Sequence, residues 1–303
     1  MTENPQLMYV AGRMVAEGEA TVSALDAGLL LGAGLFETLR TYGGRPFRLG
    51  RHMARLRASG RFFRILVGES DDEIAAVIAR LLEANGLADA RLRITATRGH
   101  QAEGLADDEA QRATLLVTAG GQVSYPAELY ERGAAVVASD IRINESDPVV
   151  FHKTTNYRGN LLAIRDAHSA GAAEALRFNT RNRLAEGAIS NVFLVSGGRL
   201  ATPPVEDGLL AGVTREAVLA LAAECGIPAE QRSLTVDDML GADEAFLTNS
   251  IMEVMPVVRI EKHEVGPKGD PDRLGRPGPI TRRLAEAYKA LVARETAAGE
   301  TKA

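Results

Sequence analysis

Apolar and polar positions alternate in short runs along this chain, and helical and extended runs take turns through the first 120 residues. Two extended runs at 6–10 and 13–15 flank Gly12 and predict a hairpin. A strand is predicted over 35–42, stopped by Gly43-Gly44, with 45–48 returning beside it. Over 49–63, Leu49, Met53 and Leu56 recur near one helical face. Ser70-Asp71-Asp72-Glu73 is a capping box that opens a second helix, closed by Asn85 and Gly86. Strands are expected at 90–97 and 113–118. Helices packed on strands in this way predict an α+β domain.

Gly120 to Pro126 interrupts the periodicity and marks the best boundary. Beyond it short strands are predicted at 134–139, 175–178, 192–195, 244–248 and 257–260. Helices are predicted near 160–169, 214–225 and 281–294, and the Gly/Pro-rich stretch 266–279 reads as an exposed loop. The resulting division is a small domain over 1–120, a linker over 121–126 and a larger domain over 127–303. No internal repeat or low-complexity tract breaks this pattern.

Composition narrows the class. The chain has 303 residues, 46% hydrophobic and 25% charged, which suits one large or two ordinary globular domains. With 35 basic and 40 acidic residues the net charge is -5, against a dedicated nucleic-acid binder. The single cysteine, Cys225, excludes an internal disulfide or a cysteine metal cage, and fits a reducing, cytoplasmic compartment. Met1 to Gln6 shows no secretory signal, and no apolar run approaches the ~20 residues that span a bilayer. The five histidines lack metal-site spacing, and the glycine fingerprints of nucleotide binders and the Gly-x-Ser-x-Gly of hydrolases are missing.

The basic residues carry the sharper clue. Only five are lysines, and Lys262, Lys268, Lys289 and Lys302 all lie in the polar last 42 residues. Lys153 stands alone in Phe151-His152-Lys153-Thr154-Thr155-Asn156-Tyr157. Lysine does what arginine cannot, forming a Schiff base through a deprotonatable amine, so Lys153 is the candidate for covalent amine chemistry. The plainer reading is a surface lysine in a loop.

Other candidates are read beside their plainer alternatives. Leu210-Ala211-Gly212-Val213-Thr214-Arg215-Glu216 opens a helix with Thr214 as its expected N-cap. Such a turn is either a phosphate site or simply a well-capped helix. Arg55 shares a helix face with His52 and is a second possible phosphate ligand, within a run of seven arginines that otherwise reads as a solvated face. Glu186 ends an extended run and could hold a heterocyclic nitrogen protonated, or be an ordinary edge carboxylate. Thr248-Asn249-Ser250 offers polar side chains to a ligand, or makes a polar turn.

Six segments in order resemble the class IV pyridoxal-phosphate enzymes across nearly the whole chain. They are Gly34-Leu35-Phe36-Glu37-Thr38-Leu39-Arg40, His52-Met53-Ala54-Arg55-Leu56, Lys153 to Tyr157, Glu186 to Phe193, Leu210 to Arg215, and Phe246 to Val257. The resemblance implies a two-domain α+β fold with pyridoxal 5'-phosphate between a small and a larger domain, and a homodimer. It implies Lys153 as the Schiff-base residue, Glu186 at the pyridine nitrogen and Leu210 on the ring face. Arg55, Val213, Thr214 and Ser250 would hold the phosphate, and Tyr157 would approach the ring hydroxyl. Branched-chain enzymes have one more residue between the lysine and the Asn-Tyr pair.

Among the family's activities the motifs favour aminodeoxychorismate lyase, which makes 4-aminobenzoate and pyruvate for folate synthesis. Asn249-Ser250 stands where branched-chain aminotransferases carry Gly-Thr, and the Gly-Gly after their lysine is missing. Arg98-Gly99-His100-Gln101-Ala102-Glu103 does not reproduce the Arg-x-His of D-amino acid aminotransferases. Amino transfer from branched-chain L-amino acids or D-amino acids to a 2-oxo acid is the alternative, as is a silent relative that binds the cofactor without turnover.

Overall fold

A computed structural model describes residues 6–100, 111–121 and 124–297. Residues 101–103 of the Arg98–Glu103 segment and 122–123 of the expected linker lie outside them. The fold is mixed helix and sheet, and by its internal contacts the chain forms two compact units. One comprises 1–123, 152–156 and 294–303, the other 124–151 and 157–293.

The first unit holds a six-stranded antiparallel sheet. Its order is Arg13–Ala16, Leu7–Val10, Thr114–Gly121, Ala90–Thr97, Gly34–Tyr42 and Arg45–Pro46. The returning strand is shorter than expected because Arg48 turns left-handed (φ 54°) and caps the next helix. Helix Leu49–Phe63 buries Met53 and Leu56, helix Asp71–Ala84 buries Ile74, Ile78 and Leu81, and both rows join the apolar face of the sheet. The capping box forms: Ser70 Oγ accepts Glu73 N–H, and Glu73 Oε2 accepts Ser70 N–H at 2.7 Å.

The second unit is built on a nine-stranded mixed sheet. Its path runs Leu184–Gly187, Glu174–Phe178, Ala134–Ala138, Glu253–Ile260, Glu244–Asn249, Asn191–Ser196, Arg199–Thr202 and Ala229–Gln231. His263–Glu264 pairs beside Glu253–Ile260. Asn191–Val195 is buried at every position, so no period of two marks it; such continuous apolar runs belong to strands covered on both faces. Phe193 and Phe246 are cross-strand partners and stack at 4.8 Å between ring centres.

Two expectations are corrected here. Thr214 is not the N-cap of its helix: Gly212 is, in extended conformation, and the helix Val213–Glu224 starts a residue earlier. Gly212 takes the cap because a Cβ there would lie 2.0 Å from Asn191 Oδ1. The stretch 266–279 is not uniformly exposed: Pro277 and Gly278 are buried at its end. Glu244 holds this end by accepting N–H bonds from Ile280 and Thr281 at 3.1 and 2.8 Å.

Candidate active site

In the first unit, the five residues around Lys153 are tied to the start of strand Gly34–Tyr42. Phe36 N–H donates to the Lys153 carbonyl at 2.9 Å, and Thr155 N–H to the Gly34 carbonyl at 2.8 Å. Leu35 and Thr154 form an antiparallel bridge between these bonds. Gly34 permits the approach, since a Cβ there would stand 2.8 Å from Thr155 Oγ1. The Lys153 backbone is thereby fixed, and Nζ stands 4.5 Å from the centre of the Phe36 ring.

Strand Gly34–Tyr42 also aims Glu37 inward, fully buried, at two residues one helical turn apart. Arg55 donates to Glu37 through Nε at 2.8 Å and Nη2 at 2.6 Å, and His52 Nδ1 lies 2.8 Å from Oε2. Burial by itself would raise the Glu37 pKa, but the Arg55 guanidinium and the His52 bond bring it down to about 2. An ionised carboxylate only accepts, so His52 donates from Nδ1. Burial pushes the His52 pKa down against the pull of Glu37, and the Arg55 and Lys153 charges add to that push. Arg55 is thus fixed in orientation by a two-point bond to Glu37.

In the second unit, the ends of three strands and one helix start converge. Glu186, on Leu184–Gly187, accepts Leu210 N–H at Oε2 (3.0 Å). The Leu210 carbonyl accepts from Asn191 Nδ2 at 2.9 Å, and the same side chain fills the space beside Gly212. Asn191 pairs across the sheet with Thr248, which leads into Asn249 and Ser250. Asn249 Nδ2 donates to the Ile189 carbonyl at 3.1 Å, while Oδ1 accepts N–H bonds from Ile251 and Met252, both 2.8 Å.

The helix Val213–Glu224 makes its first backward bond from Glu216 to the Gly212 carbonyl, which leaves the N–H groups of Val213, Thr214 and Arg215 without intrahelical acceptors. Donors at a helix start, with the helix dipole behind them, can take an anion. The Arg215 side chain is turned to structural work, donating through Nη2 to the Pro203 carbonyl and to Gln231 Oε1. Thr248 Oγ1 is buried with no hydrogen-bond partner among the described residues.

The site residues expected from sequence divide between the two units. Lys153 and Arg55 belong to the first unit, whereas Tyr157, Glu186, Leu210, Val213, Thr214 and Ser250 belong to the second. Sequence reasoning gave no role to Glu37, Glu174, Arg177 or Asn191. The three-residue spacing of His52 and Arg55 asked for a shared acid, and a charged residue inside the apolar run Glu174–Phe178 asked for a partner; both signals were available.

The family model described as amino-transferase class IV matches residues 34–260. The chain belongs to the class IV aminotransferase family. It is 34% identical over 285 residues to a putative branched-chain-amino-acid aminotransferase of Methanocaldococcus jannaschii, covering 93% of this chain and 95% of that one. It is 31% identical over 262 residues to the aminodeoxychorismate lyase of Bacillus subtilis, covering 86% and 88%. The solved branched-chain aminotransferase of the thermophilic archaeon Thermoproteus uzoniensis, with norvaline, matches with a TM-score of 0.86 at 30% identity, over 96% of each chain.

This class IV chain is therefore a pyridoxal-phosphate-dependent enzyme, a lyase or an aminotransferase. Solved branched-chain relatives include one with pyridoxamine 5'-phosphate. The residues present fit the cofactor. An amine is held on a fixed backbone, a carboxylate is held in place by a backbone N–H, and free helix N–H groups can take a phosphate. Among the described residues no cluster of His, Cys, Asp and Glu is arranged for a metal ion, and no helix is long and apolar enough to cross a membrane.

Proposed function

We propose that this enzyme is an aminodeoxychorismate lyase, releasing pyruvate from 4-amino-4-deoxychorismate and leaving 4-aminobenzoate, a precursor for folate synthesis. The observation that carries this reading is the Asn249 turn. Asn249 Oδ1 takes the N–H groups of Ile251 and Met252. That turn is closed on itself and offers neither N–H to the α-carboxylate of an amino-acid donor. A glycine at the position of Asn249 has no side chain to do this.

In this reading Lys153 would hold the cofactor and would be the base that takes the ring proton from the amine-bearing carbon of the substrate. When bound, pyridoxal phosphate supplies an electron-accepting ring. Glu186 would keep the ring nitrogen protonated, and Leu210 would pack on the ring. Arg55 in the first unit, and the Val213 and Thr214 N–H groups and Ser250 in the second, would hold the phosphate, and Tyr157 would serve the ring hydroxyl. Loss of the enolpyruvyl group then aromatises the product, a driving force that amino transfer lacks.

Amino transfer is the second reading, favoured by the likeness to branched-chain aminotransferases in sequence and structure. The two differ in stoichiometry. Holoenzyme given aminodeoxychorismate is expected to release pyruvate through many turnovers without any 2-oxo acid. If it ignores that substrate and instead moves the amino group of leucine, valine or D-alanine to 2-oxoglutarate, the lyase reading is wrong and the aminotransferase one stands.

A cytoplasmic homodimer accompanies this function. Leu25, Leu29, Leu30 and Leu31 are each more than half exposed along one short stretch, an apolar patch that a second copy would cover. A monomer in sedimentation velocity at micromolar concentration would count against it.

A further inference from the structure

Strand Glu174–Phe178 carries a basic residue that no motif explains. Arg177 is 9% exposed and is the antiparallel cross-strand partner of Glu186, so both side chains stand on one face of the sheet. The register shifts between Arg177 and Phe178, the kind of irregularity that re-aims a side chain beside a functional site. Among the described residues its hydrogen bonding is confined to Nε, which reaches the Ile141 carbonyl at 3.5 Å, the long limit of such a bond. A guanidinium this deeply buried is normally paired bidentately.

What surrounds it is a set of anionic or acidic groups. Glu186, Tyr157 and Glu174 all bear on its charge, Glu186 most of all, and they oppose the burial that pushes the Arg177 pKa down. Gly159 lies on the other side, where a Cβ would be in ordinary contact with the Arg177 Nη2 at 3.7 Å. Leu210 N–H orients the Glu186 carboxylate from one direction. Arg177 is the cation beside it on the neighbouring strand.

We propose that Arg177 is a positioning residue for Glu186, holding that carboxylate charged and in place for the pyridine nitrogen of the cofactor. It does so by charge across the strand pair rather than by touching the cofactor. The proposal rests on the reading of Glu186 as the partner of the ring nitrogen.

The test is a double-mutant cycle on pyridoxal 5'-phosphate affinity, measured by titrating the cofactor-stripped chain, with the visible absorption maximum of each loaded protein as a second readout. Arg177→Met is expected to weaken binding on the order of 10-fold and to shift the maximum toward that of Glu186→Gln. Arg177→Lys, which keeps the charge, should remain within about 3-fold of the parent. In the Glu186→Gln background, Arg177→Met should change affinity by less than about 2-fold. Should Arg177→Met not fold, Arg177→Gln takes its place in the same cycle. An Arg177 effect of equal size with and without Glu186, or no effect at all, overturns the proposal. If Glu186→Gln itself leaves affinity and absorption unchanged, the Glu186 reading has failed; if Glu186→Gln weakens binding and Arg177→Met does not, only the positioning role has failed.

Discussion

Glu37 and Glu174 are the two most deeply buried glutamates among the described residues, one in each unit, and they sit at opposite ends of the carboxylate range. Glu37 lies at about 2 and Glu174 at about 7, from the same ordinary value of 4.5. For both, burial is the strongest single influence and pushes the pKa up. Glu37 meets a guanidinium at two points and a histidine at a third. Among the described residues Glu174 meets no cation in direct contact: it accepts N–H bonds from Ala175, Ala188 and Ile189 and the Ser190 hydroxyl, at 2.9 to 3.3 Å. Burial therefore dominates at Glu174 and the ion pair dominates at Glu37. The first unit keeps its site charges by pairing them, and the second shapes its site with backbone donors around a loop that directly follows Glu186.

The same substitution should then give opposite results. Glu37→Gln leaves the Arg55 guanidinium beside a neutral amide in a buried place, and is expected to cost about 3–5 kcal/mol in chemical denaturation and to weaken cofactor binding with it. A loss below about 1 kcal/mol would show that Arg55 finds another partner and that the charge pairing is not what organises the first unit.

Gly212→Ala tests whether shape organises the second unit. The new Cβ would displace Asn191, whose amide holds Leu210 and so the backbone that orients Glu186. A cost of about 2 kcal/mol is expected, with weaker cofactor binding. Unchanged stability and affinity would mean the helix start is not keyed to Asn191.

Glu174→Gln should be the mildest change. The Ser190 hydroxyl can accept as well as donate, so an amide NH₂ facing it mimics the protonated acid. At pH 3 the variant is expected within about 1 kcal/mol of the parent, and at pH 8 it should be the more stable of the two. The sign follows from linkage: the folded value of Glu174 lies above its unfolded one, so its contribution is full below about 4.5 and is lost as pH rises through about 7. For Glu37 the order is reversed, its contribution being full above about 4.5 and lost as pH falls toward about 2. Denaturation curves at pH 3, 6 and 8 read both; a Glu174→Gln variant with the parent's slope between pH 6 and 8 would contradict the assignment.

Much of this was legible in the sequence because local signals and fold agree. The helix Leu49–Phe63 announces itself by its apolar row, and Ser70 to Glu73 by its capping box. Lys153 could be singled out by elimination, since arginine replaces lysine almost everywhere else. What stayed hidden depends on contacts between distant residues. The Gly212 cap needs the Asn191 side chain to explain it, so local propensity pointed to Thr214 instead. Glu37 lies inside a quoted motif, yet only the pairing of a strand with a helix shows what it holds. The chain passes Gly120 to Pro126 and later returns residues 152–156 to the first unit through backbone bonds to Gly34 and Phe36, which no local pattern announces.

Lys153 as the residue that carries the cofactor is tested most directly by reducing the loaded enzyme with borohydride and mapping the pyridoxyl group by mass spectrometry. With only five lysines in the chain, the answer is unambiguous. The group is expected on the peptide containing Lys153, and to be lost in Lys153→Arg, whose guanidinium stays protonated and cannot attack an aldehyde. A pyridoxyl group on Lys262, Lys268, Lys289 or Lys302, or a Lys153→Arg enzyme that still turns over substrate, would contradict it.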